Sequence, residues 1–448
     1  MAACSASFAQ STVELYGRAE VTGVLGNKTS TITNYSNVVT SGGSVFSNIA
    51  GNGTGTVNRT TGAVTEVPTS KPLFRIDDGN RNGDGSSRIG FRGTEDLGGG
   101  LKAVFQFEAG VNVDDGSSGN GGGNLFSRTA IVGLEGGFGR LTAGRQVNPA
   151  FGAFAGTSAM GTMNGLSDAP AGLNLTTVRS SNSVMYTTPA FSGLTAKVLL
   201  AAPEGRTESN LYESDLISKE AETGNATVKP ATHVNMSLAY ANGPFAAQLG
   251  YETSKEVKTE SYSFTPSTDN GSSNSTDKFN VVTLGASYDL GFVKPFINYT
   301  TRKNSKSSNG YDLESLIAST MSSNSSNKQN LFSLGFTAPM GAGLLFAEMA
   351  NGKTKGWTDT STASVGAVTV NDDALAGLSQ SNKANAYTIG YRYALSKRTW
   401  LQAAYGQSKN TVTSSFNDPD AGTGVTDITN ISTVTKNSGV ALTLSHAF

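Results

Sequence analysis

Residues 12–25 alternate between apolar and polar, with Val13, Leu15, Gly17, Ala19, Val21, Gly23 and Leu25 on one parity and Thr12, Glu14, Tyr16, Arg18, Glu20 and Thr22 on the other. A period of two marks a strand with unlike faces, here one suited to oil and one to water. In RIGFRG, Ile89, Phe91 and Gly93 oppose Arg88, Gly90 and Arg92, and in LKAVFQFEAGV, Leu101, Ala103, Phe105, Phe107 and Val111 oppose Lys102, Gln106 and Glu108. The same alternation starts again near Phe126, Phe138, Asn182, Leu194, His233, Phe245, Phe279, Val293, Asn330, Leu344, Ala386, Thr399 and Ser438, which predicts sixteen strands in all.

The connections alternate as well. Links such as EDLGGGL, EGGFG, ANGP, APMGAG and LSKR are short, whereas polar stretches over 27–85, 112–125, 147–180, 201–231, 253–278, 303–329, 351–384 and 410–436 are long, with short hairpins that extend the wall as one option within them. Short turns at one end and long loops at the other are the layout of an outer-membrane barrel. The chain has no run of about 18 apolar residues, which excludes a transmembrane helix and leaves a closed sheet as the way to cross lipid without unpaired backbone groups. The pattern therefore predicts an all-β fold, a 16-stranded antiparallel transmembrane β-barrel with short periplasmic turns and long extracellular loops, as a single domain over 10–448. Residues 1–9 read as a signal-peptide remnant ending in Ser7-Phe8-Ala9, with the single cysteine, Cys4, inside it. Tyr240, Phe245, Tyr251, Tyr288, Tyr299, Tyr387, Tyr391, Tyr393 and Tyr405 fall near predicted strand ends, where a barrel carries its interfacial girdle.

Composition narrows the function. The 448 residues include 54 glycines, only 15% are charged, and the net charge is −1, so neither a nucleic-acid-binding surface nor a charged disordered chain fits. Only His233 and His446 are present, the first at a predicted strand start and the second on lipid parity; both read as interface residues, and no enzymatic activity is expected. No zinc spacing occurs and no cofactor is required. A calcium loop is an alternative reading of Asp78, Asn80, Asn82 and Asp84, because Asp78-x-Asn80-x-Asn82-Gly83 opens like one; its twelfth position, however, is Ile89 instead of glutamate, and an ordinary solvated turn explains the same residues.

The candidate chemistry of a barrel is its lumen charge. Arg18, Arg88, Arg92 and Lys102 share lumen parity with Glu14, Glu20 and Glu108, and a local arginine surplus would concentrate anions. Pairing of Arg88 and Arg92 with those acids is the competing structural reading. The stretch 147–180 is rich in Gly, Ala and Ser, with Asp168 inside it and Arg145 and Arg179 at its flanks; Arg145 shares lipid parity with Leu141 and Ala143 unless a turn breaks the alternation. The lumen aromatics Tyr16, Phe296 and Trp400 are too scattered for a sugar track, and no repeat of 20 to 50 residues supports a solenoid. A substrate-specific channel or an adhesin-like barrel acting through its long loops is the alternative.

The segments STVELYGRAE, SRIGFRGTEDLGGGLKAVFQFEAG, FSRTAIVGLEGGFGRLTAGRQ, SNSVMYTTPAFSGLTAKV, YRYALSKRTWLQAAYG and VALTLSHAF resemble the Gram-negative general porins of the betaproteobacterial type. The resemblance implies passive diffusion of small hydrophilic solutes and anions across the bacterial outer membrane, after export through the periplasm. It further implies a homotrimer in contact through the small and apolar outer faces of the early strands, and a third long loop, 147–180, folded into the lumen as the constriction. Phe448 would belong to the signal read by the barrel assembly machinery; it also simply ends the last strand, on one parity with Val440, Leu442, Leu444 and His446. Arg88 matches a lumen arginine of the anion-preferring members, while Thr129 stands where a second arginine is common, which implies weak selectivity.

Overall fold

The computed structural model describes residues 12–35, 64–68, 73–78, 87–119, 124–158, 175–202, 207–213, 222–263, 270–312, 319–356, 360–365, 368–371, 379–419 and 426–448. Its wall consists of β1 (Thr12–Tyr35), β2 (Arg88–Gly98), β3 (Leu101–Val111), β4 (Thr129–Gly136), β5 (Gly139–Val147), β6 (Arg179–Thr187), β7 (Leu194–Ala201), β8 (Glu222–Asn242), β9 (Phe245–Ser263), β10 (Asn270–Tyr288), β11 (Lys294–Asp312), β12 (Ser319–Met340), β13 (Gly343–Lys355), β14 (Ser379–Ala394), β15 (Thr399–Pro419) and β16 (Thr426–Ala447). One short helix, α1 (Pro149–Ala155), follows β5. Each strand pairs antiparallel with the next, and β16 returns to β1 from Arg18↔Ala447 to Tyr35↔Asn430, so the sheet is closed and presents no free edge.

Strand number and order agree with the alternation, but strand ends do not. β8 begins at Glu222 instead of near His233, β9 runs on to Ser263, and β12 begins at Ser319. The alternation fades in these stretches because both faces meet water there, yet every further residue pair still satisfies backbone donors and acceptors, so the ladder continues. Much of the predicted loop 27–85 behaves similarly: its first residues continue β1, and the short strands Leu73–Asp78 and Val64–Pro68 lie along the edge of β1 that β2 does not reach. The wall is consequently uneven, with 8 to 11 residues per strand from β2 to β7 and 13 to 22 from β8 to β16.

Outward positions are apolar and exposed, as at Val13, Leu15, Val132, Leu249, Leu284 and Leu442, whereas inward neighbours such as Glu20, Thr22, Glu252, Thr283 and Thr443 are buried. Phe448 exchanges two backbone hydrogen bonds with Gly17, at 3.0 and 3.1 Å, and its ring fills the space that a Cβ on residue 17 would need. Phe245 and Tyr251 on β9, like Tyr393 and Tyr387 on β14, are exposed outward aromatics six positions apart, about 20 Å of strand. Beyond the farther row the outer face turns polar. Thr253 Oγ1 donates to Asn280 at 2.8 Å, Thr301 Oγ1 and Tyr299 to Asn330 at 2.9 and 3.1 Å, and Tyr387 to Gln407 at 2.6 Å.

Candidate functional site

The described ends of the third loop lie against the inner wall, held by polar residues on strands distant in sequence. Pro149 at the start of α1 carries no N–H, and the next amide, of Ala150, donates to inward-facing Asn235 of β8 at 2.6 Å. Asn298 of β11 donates to Thr157 at 2.8 Å, and Ser158 donates to the buried carboxylate of Glu348 on β13 at 2.8 Å. Two glycines make the close approach feasible, since a Cβ on Gly250 would meet Ala150 and one on Gly285 would meet Thr157. Phe154 and Leu175 complete an apolar cluster with Leu331, Ala350, Ala384 and Ala386, which places a small hydrophobic seat in an otherwise polar lumen.

The returning limb has its own anchor. Both oxygens of Glu252, which is fully buried on β9, accept from the Thr177 amide at 3.2 and 3.1 Å, and one also meets His233 Nε2 at 2.9 Å. His233 Nδ1 is 2.8 Å from the Ser180 hydroxyl. Arg302 lies over the Phe279 ring at 4.1 Å and donates to the Leu175 carbonyl at 3.2 Å. Asn148 donates to the Thr177 carbonyl at 3.0 Å and joins the two limbs. The expectation that His233 is an interface residue at a strand start is corrected here: β8 extends eleven residues before it, and the imidazole points inward into this anchor.

Facing inward on the short-strand side is a cluster of arginines. Glu108 on β3 accepts from Arg128 at 2.6 Å and from the Tyr16 hydroxyl at 3.0 Å, and lies 3.7 Å from Arg88. Arg18 stands opposite Arg88 in the β1–β2 register. Arg179 lies in electrostatic range of Arg128, Arg145, Arg88 and Glu108. Glu20 is buried one inward step beyond Arg18, with its backbone tied to Ser87. Five arginines thus share a small region with two glutamates. Glu252 and Glu348 on the opposite wall are buried against the loop they hold.

Several predicted site residues lie elsewhere. Lys102 is exposed at the short-turn end, opposite Asp96 and Glu135, about 20 Å along β3 from Glu108, so it does not join the cluster. Arg92 forms an exposed ion pair with Glu14 at 2.9 Å and lies over the Tyr16 ring, which is the structural pairing reading for that residue. Arg145 escapes lipid parity because the β5–β6 register shifts between Gly144 and Gln146; Gly144 has φ of 124°, and the guanidinium donates to the Ser127 carbonyl at 2.7 Å and to Ser181 at 2.9 Å. Arg128 was not among the predicted residues, because it shares outward parity with Ala130 and Val132 but precedes the first residue of β4 and turns inward. Asp168, Asn80, Asn82 and Asp84 lie outside the described residues, as do residues 1–9, and of the four positions read as an alternative calcium loop only the backbone of Asp78, closing a short strand, is described. Among the described residues no group of three or more His, Cys, Asp or Glu side chains could hold a metal ion.

The structural resemblances agree with this architecture. Over 352 residues the chain is 30% identical to an outer membrane porin protein of Bordetella pertussis, covering 75% of this chain and 80% of the relative. Outer membrane porin protein 32 of Delftia acidovorans is 28% identical over 73% of this chain and 76% of its own length. The solved anion-selective porin from Comamonas acidovorans superposes with a TM-score of 0.52 at 23% identity, over 98% of this chain and 100% of that one, a likeness of fold. The family model for Gram-negative porins matches residues 1–413, and with a closed sixteen-stranded barrel behind the match, this chain belongs to the Gram-negative porin family of the bacterial outer membrane.

Proposed function

We propose that this porin is a general diffusion channel for small hydrophilic solutes with a weak preference for anions, and that its selectivity resides in Arg18, Arg88, Arg128 and Arg179. The observation that carries the reading is the one-sided charge at the level of the inward loop: five clustered arginines with Glu20 and Glu108, opposite Glu252 and Glu348, which are buried against the loop. A low-dielectric wall focuses such a field into the aqueous gap, so anions are enriched there even though the whole chain has a net charge of −1. Glu108 neutralises part of the cluster through Arg128 and Arg88, which keeps the preference weak.

The chain acts as a homotrimer in lipid, with the outer face of the short strands as the contact. Phe91, Phe105, Phe107 and Phe126 support this reading, since their rings pack at 5.1 to 6.1 Å from one another on that face. Phe448 presents the assembly signal from its place at the β1–β16 seam, where its exposed ring lies over Gly17.

The test is the reversal potential of the purified protein in a planar bilayer under a salt gradient, for the parent and for Arg128→Glu. A parent potential of anionic sign that inverts in the variant is the expected result. An unchanged potential would overturn the assignment of selectivity to the cluster, and absence of an ohmic conductance in the parent would overturn the diffusion-channel reading itself.

A further inference from the structure

Between the loop anchor and the long-loop end, the inner face of β9 to β11 carries a second group of charges, separate from the arginine cluster. Glu256 faces Asp277 across β9 and β10, and Asp277 faces Lys306 across β10 and β11. Each shares parity with a buried inward residue of its own strand: Glu256 with Glu252, Asp277 with Val281 and Lys306 with Thr300. Two carboxylates directly opposite on one face of a sheet repel, and the single lysine beside them balances only one of the two. All three side chains are exposed to the lumen water, and among the described residues none takes part in an ion pair or a side-chain hydrogen bond.

Asp277, Lys306, Arg302, Asn304, Asn327 and Gln329 line one recess of about 400 Å³ in this wall, with Glu256 at its edge. The cation at the loop side of the recess is held in a fixed orientation. Arg302 lies over the Phe279 ring at 4.1 Å, donates through Nε to Asn304 at 2.7 Å and through Nη1 to the Leu175 carbonyl at 3.2 Å. Asn304 in turn donates to Asn327 at 2.8 Å. These bonds set the plane of the guanidinium and leave its other N–H donors for a ligand. The recess is therefore bipolar, with two acids toward the long loops and a preorganised guanidinium toward the inward loop. Asp277 and Phe279, which carries the guanidinium, are two residues apart on β10, about 7 Å of strand.

We infer that this recess is a binding site for small zwitterions whose ammonium and carboxylate ends lie about 7 Å apart, of which an extended dipeptide is the simplest. The ammonium enters between Glu256 and Asp277 and relieves their repulsion, while the carboxylate takes the remaining donors of Arg302 in charge-assisted hydrogen bonds. The amides of Asn304 and Asn327 line the same recess and suit the peptide group. A single amino acid is too short to span the two poles, and a simple anion leaves the acids without a partner. The site rests on the diffusion-channel reading for its purpose: weak binding beside the inward loop enriches such solutes at the entrance without trapping them.

The test uses the full chain in detergent micelles and saturation-transfer NMR, which reads ligand binding whether or not the channel conducts. The probes are alanyl-alanine, its N-acetyl form, its C-terminal amide and alanine. The parent is expected to bind alanyl-alanine roughly tenfold more tightly than any of the other three. In the double variant Glu256→Gln, Asp277→Asn, affinity for alanyl-alanine should fall roughly tenfold, to that of the N-acetyl form, whose own affinity stays at the parent value. An ohmic conductance in a planar bilayer checks that the variant folds. Its absence in the parent would overturn the diffusion-channel reading and leave the binding result standing. Equal affinity of the parent for alanyl-alanine and its two blocked forms would overturn the inference without any variant. Parental affinity for alanyl-alanine in a conducting double variant would overturn the assignment to these acids.

Discussion

The arc from β2 to β7 and the arc from β8 to β16 belong to one closed sheet but obey different constraints. A strand tilted across a bilayer needs about 9 to 11 residues, which is close to the 8 to 11 of the short arc, so almost all of its outer face is apolar. The long arc exceeds that length and projects beyond the hydrocarbon, where its outward residues become Thr, Asn and Lys. The inner faces divide in a complementary way. The short arc, with β1, contributes the arginine cluster, and the long arc contributes the receptors for the inward loop. On the proposed reading selectivity and aperture are set by opposite walls, and a substitution on one side should leave the property of the other largely intact.

The strongest way to break that division is at the long arc's anchor. Glu252→Ala removes the acceptor of the Thr177 amide and the partner of His233, inside a region where neither is replaced by water at no cost. A loss of about 3 kcal/mol in barrel stability is expected from buried charge-assisted hydrogen bonds of this kind. Thermal unfolding should register it, and the single-channel conductance should rise and become noisier as the returning limb loosens. The sign of the reversal potential should remain that of the parent, because the arginines sit on the other wall. A variant with parental conductance and unfolding temperature would refute the role of Glu252 in holding the loop.

On the short arc, the expected effect is on assembly. Phe107 packs against Phe91, Phe105 and Phe126, and aromatic pairs add about 1 kcal/mol each beyond the area they bury. Phe107→Ala should lower the temperature at which trimers dissociate, as followed by native electrophoresis, whereas Phe332→Ala on the outward face of the long arc should not. Equal sensitivity of the two variants would remove the distinction between the outer faces of the two arcs.

The same contrast explains which parts of the molecule were legible in the sequence. Period-two alternation exists wherever one face meets oil and the other water, so the sixteen strands, their parity and the outward positions of Tyr251, Tyr299 and Tyr387 could be read directly. Outside the lipid that requirement lapses, and Ser, Thr and Asn residues between 222 and 232 or 319 and 329 gave no sign that the ladder continued. The site was readable only where it follows regular strands, as at Arg18, Arg88 and Glu108. Arg128 enters the cluster from a residue just before a strand, and Arg145 enters through a shifted register. Glu252 and Glu348 meet loop partners 75 and 190 positions away, a distance that no local pattern encodes.

A finer comparison lies within the arginines themselves. Arg92 and Glu14 are more than half exposed, and water screens such an ion pair so that it adds little to stability. Arg92→Gln should therefore leave both the unfolding temperature and the reversal potential nearly unchanged, in contrast to Arg128, which is buried against Glu108. A potential that shifts as far in Arg92→Gln as in Arg128→Gln would extend the filter toward the short turns and merge two groups that the geometry separates.

The smallest expected effect is in the loop that follows β3 on the short arc, where a turn is closed by charge without support from a long strand. Asp115 accepts from the Ser117 amide at 2.8 Å and from its hydroxyl at 2.6 Å, and these bonds hold its carboxyl below the usual carboxylate range. A lowered value means that the ionised form favours the folded turn. The contribution is fully present at neutral pH and disappears as pH falls through the lowered value. Because the carboxyl is fully solvated, the barrel as a whole should not respond, and only the turn should. Hydrogen exchange at the Ser117 amide, corrected for intrinsic rates, should accelerate on acidification in the parent and show no such step in Asp115→Asn. An exchange rate in the parent that follows the intrinsic rate down to pH 2 would show that the Asn112–Ser117 backbone bonds close the turn without the carboxylate.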